Sequence, residues 1–522
     1  VSGLFDARWY RASYPDMADE ADPALHYLRR GAAEGRSPGP RFDGPRYARA
    51  HPDVLLQNAN PLLHFLESGA AATDSVPVIE ITQPALPLTD ANYRRWLAAN
   101  EHPVAGEGPP DDFVLLASPS VQLRPDAPAA FARALAKDPG VDVLYADEDR
   151  LDAHGNRVLP LFKPDWDVDL FAESDLIGGA TLFRRNRLQD GDVSDPWRAA
   201  LRIAGQGGRI GHVPSVLFHA RVDAPPRRIA PPVSYSLPSP PPLVSVIVPT
   251  RDRAALLAAC ADGVLTRTDY PAIEFIVVDN DSREARTAKL FAKLRRDSRV
   301  RILPYPGTFN WSAMNNHAAE AARGDVLVLL NNDIDVIGPG WLTELVSQAL
   351  RPEVGAVGAK LLYPDGTVQH AGMTLGNGSF GAHLYRGAAR DDPGHGGMLL
   401  ARRRVSAVTG ACLAIRRGVF HAVGGIEDEH LRITGSDVDL CLRVRAQGLA
   451  VLCTPHALLY HRELASRGLD TTPEQRARVA AERAYLQRRW GGAIETEAFL
   501  SANLTVVQER LALAASPQTR QS

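Results

Sequence analysis

From Leu243 onward the chain alternates runs too apolar to be exposed with stretches of helical period, and that alternation leaves few folds open. LVSVIVPT reads as a buried strand, AALLAACADGVL as a helix, IEFIVVDNDS as a second strand, VRILPY as a third, SAMNNHAAEAA as a helix and DVLVLL as a fourth strand. Strands separated by helices pair in parallel, because a parallel crossover needs about the length of a helix, and the helices cover both faces of the sheet. Ligands of such sheets sit at the carboxyl ends of the strands. The polar residues gather there: Thr250 and Asp252, then Asp279, Asn280 and Ser282, then Asn331 to Asp335.

The fourth strand ends in NNDID, two amides and two carboxylates where a turn needs a single Asn or Gly. If extended geometry persists, Asp333 and Asp335 point the same way. Like charges held together are costly without a cation between them. Their hard oxygen ligands suit Mg2+ or Mn2+. No Gly-x-Gly-x-x-Gly follows the first strand and no Gly-x-x-x-x-Gly-Lys occurs, so neither a dinucleotide fold nor a P-loop is supported. A nucleotide would bind here with its diphosphate neutralised by metal. ITGSDVDLCLRVRAQGL reads as a helix capped by Ser436, with Asp437 and Asp439 in its first turn, Leu440 and Val444 on its apolar face and Gly448 past its end. The helix dipole should keep both acids ionised. One of them is a candidate base. LLYHRE places His461, a fit ligand for a transition ion, just past an apolar strand, whereas His456 before that strand reads as structural.

The rest of the chain is organised differently. FDARWYRASYPDM from Phe5 returns as FDGPRYARAHPDV from Phe42, and DPALHYLRRGA returns as NPLLHFLESGA. Residues 1–72 therefore read as a two-repeat helical module. Asp22-Pro23 and Asn60-Pro61 start its helices, Gly31 and Gly69 stop them, and His26 and His64 lie on the aromatic face as core residues. Residues 73–90 read as a linker, 91–222 as a mixed α/β segment, 223–242 as a Pro-rich extended linker, 243–513 as the main α/β domain and 514–522 as a tail. The net charge of −3 lacks the basic excess of a general nucleic-acid binder. The four Cys have no metal-ligand spacing and read as reduced core thiols. No run approaches the roughly 18 apolar residues of a membrane span, and no signal-peptide pattern opens the chain at Val1.

The stretches VSVIVPTRDR, IEFIVVDNDS, FNWSAMNN, GDVLVLLNNDIDVIGPGWL, GAVGAKLLYPDGTVQHAG, VTGACLAIRRGVFHAVGG, SDVDLCLRVRAQG and LYHRELASRG come in one order, and together they resemble glycosyltransferase family 2, with the GT-A fold. The segment is most similar to bacterial enzymes of O-antigen and other surface polysaccharides. The resemblance implies an inverting hexosyl or deoxyhexosyl transfer from a UDP- or dTDP-sugar to a hydroxyl of a glycan or lipid-linked glycan, with Mn2+ or Mg2+ as cofactor. It implies Thr250, Asp252, Asp279 and Asn280 at the base and ribose of the donor, Asp333 at ribose or metal, Asp335 and His461 at the metal, Asp437 as the base, and Glu427 and Asp428 near the acceptor. Ser436 and Leu464 depart from the family's usual residues at their positions.

The segment 91–222 resembles the later half of a second, degenerate domain of the same family. DDFVLLASPSVQLRPDA sits where the metal strand would be, with Ser118, Pro119 and Ser120 in place of the acids. His219 stands near a position like that of His461 and, lacking partners, is expected to be structural. Asp147, Glu148 and Asp149 are expected to form a turn. The expected location is the cytoplasm, with contact to the inner face of the cytoplasmic membrane or to an assembly complex. Two other readings stay open: nucleotidyl transfer on a related fold, for which Arg251 and Arg253 are the only hint of a phosphate grip, and a non-catalytic scaffold in polysaccharide assembly. Arg402, Arg403 and Arg404 read as a mobile acceptor loop, either a solvated charge run or a contact for lipid diphosphate or membrane.

Overall fold

The computed structural model describes residues 4–14, 17, 22–32, 36–39, 42, 44, 47, 54 and 59–67, and from 86 to 517 all but 225–226, 377–378, 464–471, 495–496, 508 and 516. In the first repeat, Asp22 accepts hydrogen bonds from the Ala24 and Leu25 N–H groups and starts the helix Pro23–His26. Asn60 does the same for Leu62 and Leu63 at the start of Pro61–Glu67. His26 meets the Tyr10 hydroxyl at 3.2 Å, and His64 meets that of Tyr47 at 3.0 Å, so each histidine closes an aromatic core. The helix widens into a π-turn over Tyr27–Gly31 and ends on Gly31. The glycine is needed for packing, since a Cβ there would lie 2.0 Å from the Tyr10 hydroxyl. Gly69 lies outside the described residues.

Between this module and Leu243, the strands are β1 (Leu86–Pro87), β2 (Phe113–Ala117), β3 (Val121–Leu123), β4 (Val143–Leu151), β5 (Arg157–Leu161), β6 (Ala180–Arg184) and β7 (Ile210–Arg221). The second half holds β8 (Val244–Thr250), β9 (Ile273–Asp279), β10 (Val300–Pro304), β11 (Val326–Leu330), β12 (Ile334–Val336), β13 (Val354–Leu362) and β14 (Val368–His370). It continues with β15 (Met373–Gly376), β16 (Ser379–His383), β17 (Arg403–Arg404), β18 (Cys412–Arg416), β19 (Ala450–His461), β20 (Leu504–Val507) and β21 (Arg510–Leu513).

The large sheet runs β10-β9-β8-β11-β18-β13-β19-β12, and its first four strands are parallel, as the alternation requires. Val244, Val246 and Val248 face one layer with Leu257, Val264, Phe291 and Trp341. Ile247, Ile276, Leu327 and Leu329 face the other with Met314, Phe420, Leu440 and Val444. Both layers are apolar, so the strands lose the polar alternation of a half-exposed sheet. This is the expected α/β fold, with helices on both faces of the sheet.

The smaller sheet runs β2-β6-β4-β7-β3 with β5 on β4. That is the order of β11-β18-β13-β19-β12 with β14 on β13, and each pair keeps the same sense: antiparallel, antiparallel, parallel, antiparallel. Nothing in it corresponds to β8, β9 and β10 among the described residues. The first half is thus a truncated copy of the second, without the strands that start it.

The two halves share a polar seam. Arg351 grips Asp169 at 2.5 and 3.2 Å. Arg402 meets Glu173 at 3.3 Å and Glu344 at 3.1 Å, and His456 meets Glu173 at 2.8 Å. The Arg404 N–H donates to Asp167, whose carboxyl burial and neighbouring Asp169 push up to about 6. Tyr235, in the Pro-rich segment, lies under both Arg351 and Arg402. The expectation for Arg402, Arg403 and Arg404 is therefore corrected: the first two are buried and the third half-buried, so the run is neither solvated nor turned to a membrane. Farther along, β21 pairs with β1, and the Trp96 indole donates to the Ala514 carbonyl at 2.7 Å. Among the described residues no helix is long and apolar enough to cross a membrane, and the four cysteines are buried and unpaired.

Candidate active site

The parallel register of β8 and β9 sets Thr250 beside Asp279. Asn332 reaches back from the end of β11 and donates to the Thr250 hydroxyl at 2.9 Å. The strand ends thus converge as the alternation predicts. Asp252, at φ +55°, accepts from the Arg283 and Glu284 N–H groups at 2.8 Å each, and its own N–H donates to Ser282. The Asp279 carboxylate accepts from the Ser282 N–H at 3.1 Å. Asn280 is buried, and its amide donates to the Tyr305 and Gly307 carbonyls. These side chains fix the shape of the rim, and Asn280 does so from inside it.

The acidic tip differs from expectation in one respect. Asp333 sits in the turn before β12, not in extended chain, so the period of two does not relate it to Asp335. Antiparallel pairing of β12 with β19 sets Ile334 opposite His461. It thereby brings the imidazole Nε2 to 3.3 Å from the buried Asp333 carboxylate. The other ring nitrogen of His461 faces the Gln369 amide oxygen at 3.3 Å. Asp335 is held instead by the Arg462 guanidinium at 2.8 Å. Among the described residues no three acids, histidines or cysteines form a ready metal cluster. Asp333 and His461 nevertheless offer the hard oxygen and imidazole nitrogen that suit a divalent ion.

Asp437 stands at the start of the helix Ser436–Ala446. Its cap is Gly435, at φ +74°, and Ser436 makes no capping bond, which corrects the expected cap. The Gly410 N–H donates to one Asp437 oxygen at 3.0 Å and the Val438 N–H to the other at 2.9 Å. Burial raises the carboxyl above the ordinary aspartate range, and those backbone donors pull part of the way back. The helix dipole alone misjudges this group, because desolvation outweighs it. Asp439 is occupied by Arg443 and the Trp490 indole, both at 2.8 Å, which leaves Asp437 as the acid with no cation on it among the described residues.

Sequence reasoning assigned no role to Trp311, yet it joins the pieces. Its indole donates to the Asn331 amide oxygen at 3.2 Å, and a Cβ on Gly410 would lie 2.4 Å from the ring. Asp437, Gly410, Trp311 and Asn331 are therefore consecutive neighbours, linking Asp437 to the acidic tip. Asn310 and Asn316, at the start and within the helix Trp311–Ala321, donate at 2.9 Å to the carbonyl and carboxylate of Asp428. Glu427 accepts from the Glu429 and His430 N–H groups and the Tyr485 hydroxyl. Burial works against its charge, but these donors prevail and hold it below the usual range. The signal for Trp311, Asn310 and Asn316 was FNWSAMNN, an aromatic and amide cluster at a helix start. Nothing local marked Gln369 or Arg462. Leu464 lies outside the described residues.

In the truncated half the same positions have another content. Asp147, Glu148 and Asp149 are not a turn but the buried centre of β4. His219 does have a partner, Asp149, which also takes Arg157 at 2.5 Å and the Tyr93 hydroxyl at 2.6 Å. Asp147 pairs with His212 at 2.9 Å, and Glu148 with Arg227 and with the buried Lys163 at 3.0 Å. By strand register Gly178 corresponds to Gly410. Where Gly410 faces the Trp311 ring, Gly178 faces the Glu148–Lys163 pair. The place that Trp311 takes beside Gly410 is taken beside Gly178 by an ion pair.

Residues 245–424 match the family described as Glycosyl transferase family 2. The chain is 39% identical, over 72% of its length and 32% of the relative's, to the O-antigen biosynthesis protein RfbC of Myxococcus xanthus. It is 38% identical, over 70% of its length and 46% of the relative's, to the uncharacterized protein y4gI of Sinorhizobium fredii. It therefore spans less than half of each of these two relatives. A mannosyltransferase from Pyrobaculum calidifontis, solved with GDP-Man and Mn2+, overlays with a TM-score of 0.34 at 20% identity, over 47% of this chain and 64% of that one.

Proposed function

We propose that this chain, which belongs to glycosyltransferase family 2 through residues 245–424, moves a sugar from a nucleotide-sugar donor to a hydroxyl of a growing bacterial surface glycan, with inversion. The observation that carries the reading is the contact between a desolvated, cation-free Asp437 and the Gly410–Trp311–Asn331 bridge to the acidic tip. The relative named for O-antigen biosynthesis supports the choice of glycan.

Asp437 takes the proton of the acceptor hydroxyl. The Gly410 and Val438 N–H groups aim its oxygens, and burial raises its basicity toward that task. General-base help of this kind is worth roughly 10²–10⁴-fold. Thr250, Asp252 and Asp279 line the rim for the base and ribose of a UDP- or dTDP-sugar. Glu427 and Asp428 border the acceptor, a glycan or lipid-linked glycan. Asp333, Asp335 and His461 would hold Mn2+ or Mg2+, which when bound offsets the charge of the departing nucleoside diphosphate. A single displacement by the acceptor oxygen needs no protein nucleophile. On this reading the enzyme works on the cytoplasmic side, where nucleotide sugars are made, against a membrane-borne acceptor.

The test is a panel of nucleotide sugars incubated with the purified chain, with and without Mn2+. Metal-dependent release of nucleoside diphosphate is expected. Release of pyrophosphate would favour nucleotidyl transfer, and no release from any donor would favour a scaffold.

A further inference from the structure

We propose that Arg462 is a counter-ion latch on the acidic tip: its guanidinium neutralises Asp335 while no divalent ion is bound, and grips the diphosphate once one is. This rests on the reading of Asp333, Asp335 and His461 as a metal site. The geometry separates the residue into a fixed and a free part. The Arg462 N–H donates to the Asp333 carbonyl at 3.0 Å, so the backbone is pinned at the tip. The side chain lies 2.8 Å from Asp335 and is 51% exposed, against 18% for Asp335.

A monovalent guanidinium and a divalent ion cannot share one carboxylate without repelling each other, so ion entry displaces the arginine. Displacement is cheap, because an exposed ion pair contributes little. The freed guanidinium cannot go far from a backbone fixed beside the metal ligands. Its planar fork of donors matches phosphate oxygens, which a metal-bound diphosphate would bring to the same spot. Arg386, by contrast, is held by Glu463 and by the Tyr363 hydroxyl at 2.6 Å. Among the described residues the Arg462 side chain grips Asp335 alone, and that grip must open for the site to fill. The latch keeps the Asp335 carboxylate neutralised while no ion is bound, and it ties metal affinity to the presence of diphosphate.

The test uses the full chain with Mn2+ alone, followed by electron paramagnetic resonance of the free ion, and then with Mn2+ and inorganic pyrophosphate. Arg462→Gln should bind Mn2+ alone about three- to fivefold more tightly than the parent, the size of an exposed ion pair. With Mn2+ saturating, the same variant should bind pyrophosphate about tenfold more weakly, one charge-assisted contact having gone. This reversal of sign is the signature. A variant that binds Mn2+ alone no better than the parent, or pyrophosphate no worse, overturns the latch. Asp335→Asn separates the two readings. If it loses Mn2+ while Arg462→Gln changes nothing, the metal site stands and the latch fails. If it binds Mn2+ as the parent does, the metal reading fails and the latch with it.

Discussion

Replacing Asp437 by Asn changes one atom in kind and almost none in volume, and the structure allows its two consequences to be worked separately. The carboxylate accepts one N–H on each oxygen, from Gly410 at 3.0 Å and from Val438 at 2.9 Å. An amide has one acceptor oxygen, so one of these bonds is lost and an NH2 faces an N–H, at about 1–2 kcal/mol. The opposing effect comes from burial. The folded carboxyl titrates above its unfolded value, so ionisation costs the fold stability at every pH above that unfolded value. Asn removes this cost, and the net change at neutral pH should fall within about 1 kcal/mol. Catalysis has no such compensation. Loss of the base should lower turnover by roughly 10²–10⁴-fold, about 3–5 kcal/mol of barrier. The assays are urea unfolding, donor binding by calorimetry, and initial rates of nucleoside diphosphate release between pH 4 and 8. Unfolding midpoint and donor affinity should barely move while the rate collapses. The parent's rate should fall on the acid side at a pH above the usual aspartate value of about 3.9, and the variant's residual rate should lack that limb. Normal turnover in the variant would refute the base. A limb at the ordinary aspartate value would refute the role given to burial.

Arg402→Met should destabilise the chain by about 3 kcal/mol, the low end for stranding buried acids, because His456 still holds Glu173 and Arg351 still holds Asp169. Urea unfolding measures it, and a loss below about 1 kcal/mol would mean that the seam is not held by this charge. Gly410→Ala would put a methyl 2.4 Å from the Trp311 ring, and the ring must retreat by about 1 Å to restore contact. A shift of that size next to the base should cost at least about tenfold in turnover, with a smaller change in the unfolding midpoint; unchanged rates would detach Trp311 from the site.

Much of this molecule is written locally. The runs that became β8, β9, β10 and β11 are too apolar to be anything but buried, and the helices between them compel parallel pairing, so the crest with Thr250, Asp279 and Asn331 follows from order alone. Asp22-Pro23 and Asn60-Pro61 start helices because a cap acts within three residues. The truncated copy was expected too, from the resemblance of DDFVLLASPSVQLRPDA and the segment after it to the later part of the same domain.

What a side chain faces across the fold was not written there. DED at 147–149 reads as a turn by composition, yet Lys163, His212 and Arg227 arrive from distant segments to neutralise it inside a strand. The arginines at 402–404 read as a solvated run until Glu173 and Asp167 meet them from the other half of the chain and Glu344 from their own. Asp437 was identified in the sequence, but its elevated proton affinity comes from desolvation by tertiary neighbours. Asp335 was identified as well, but not the guanidinium that covers it. Backbone conformation depends on near neighbours, which the order of residues displays. Electrostatic energy depends on distance and on exclusion of water, and both exist only after remote parts of the chain have packed.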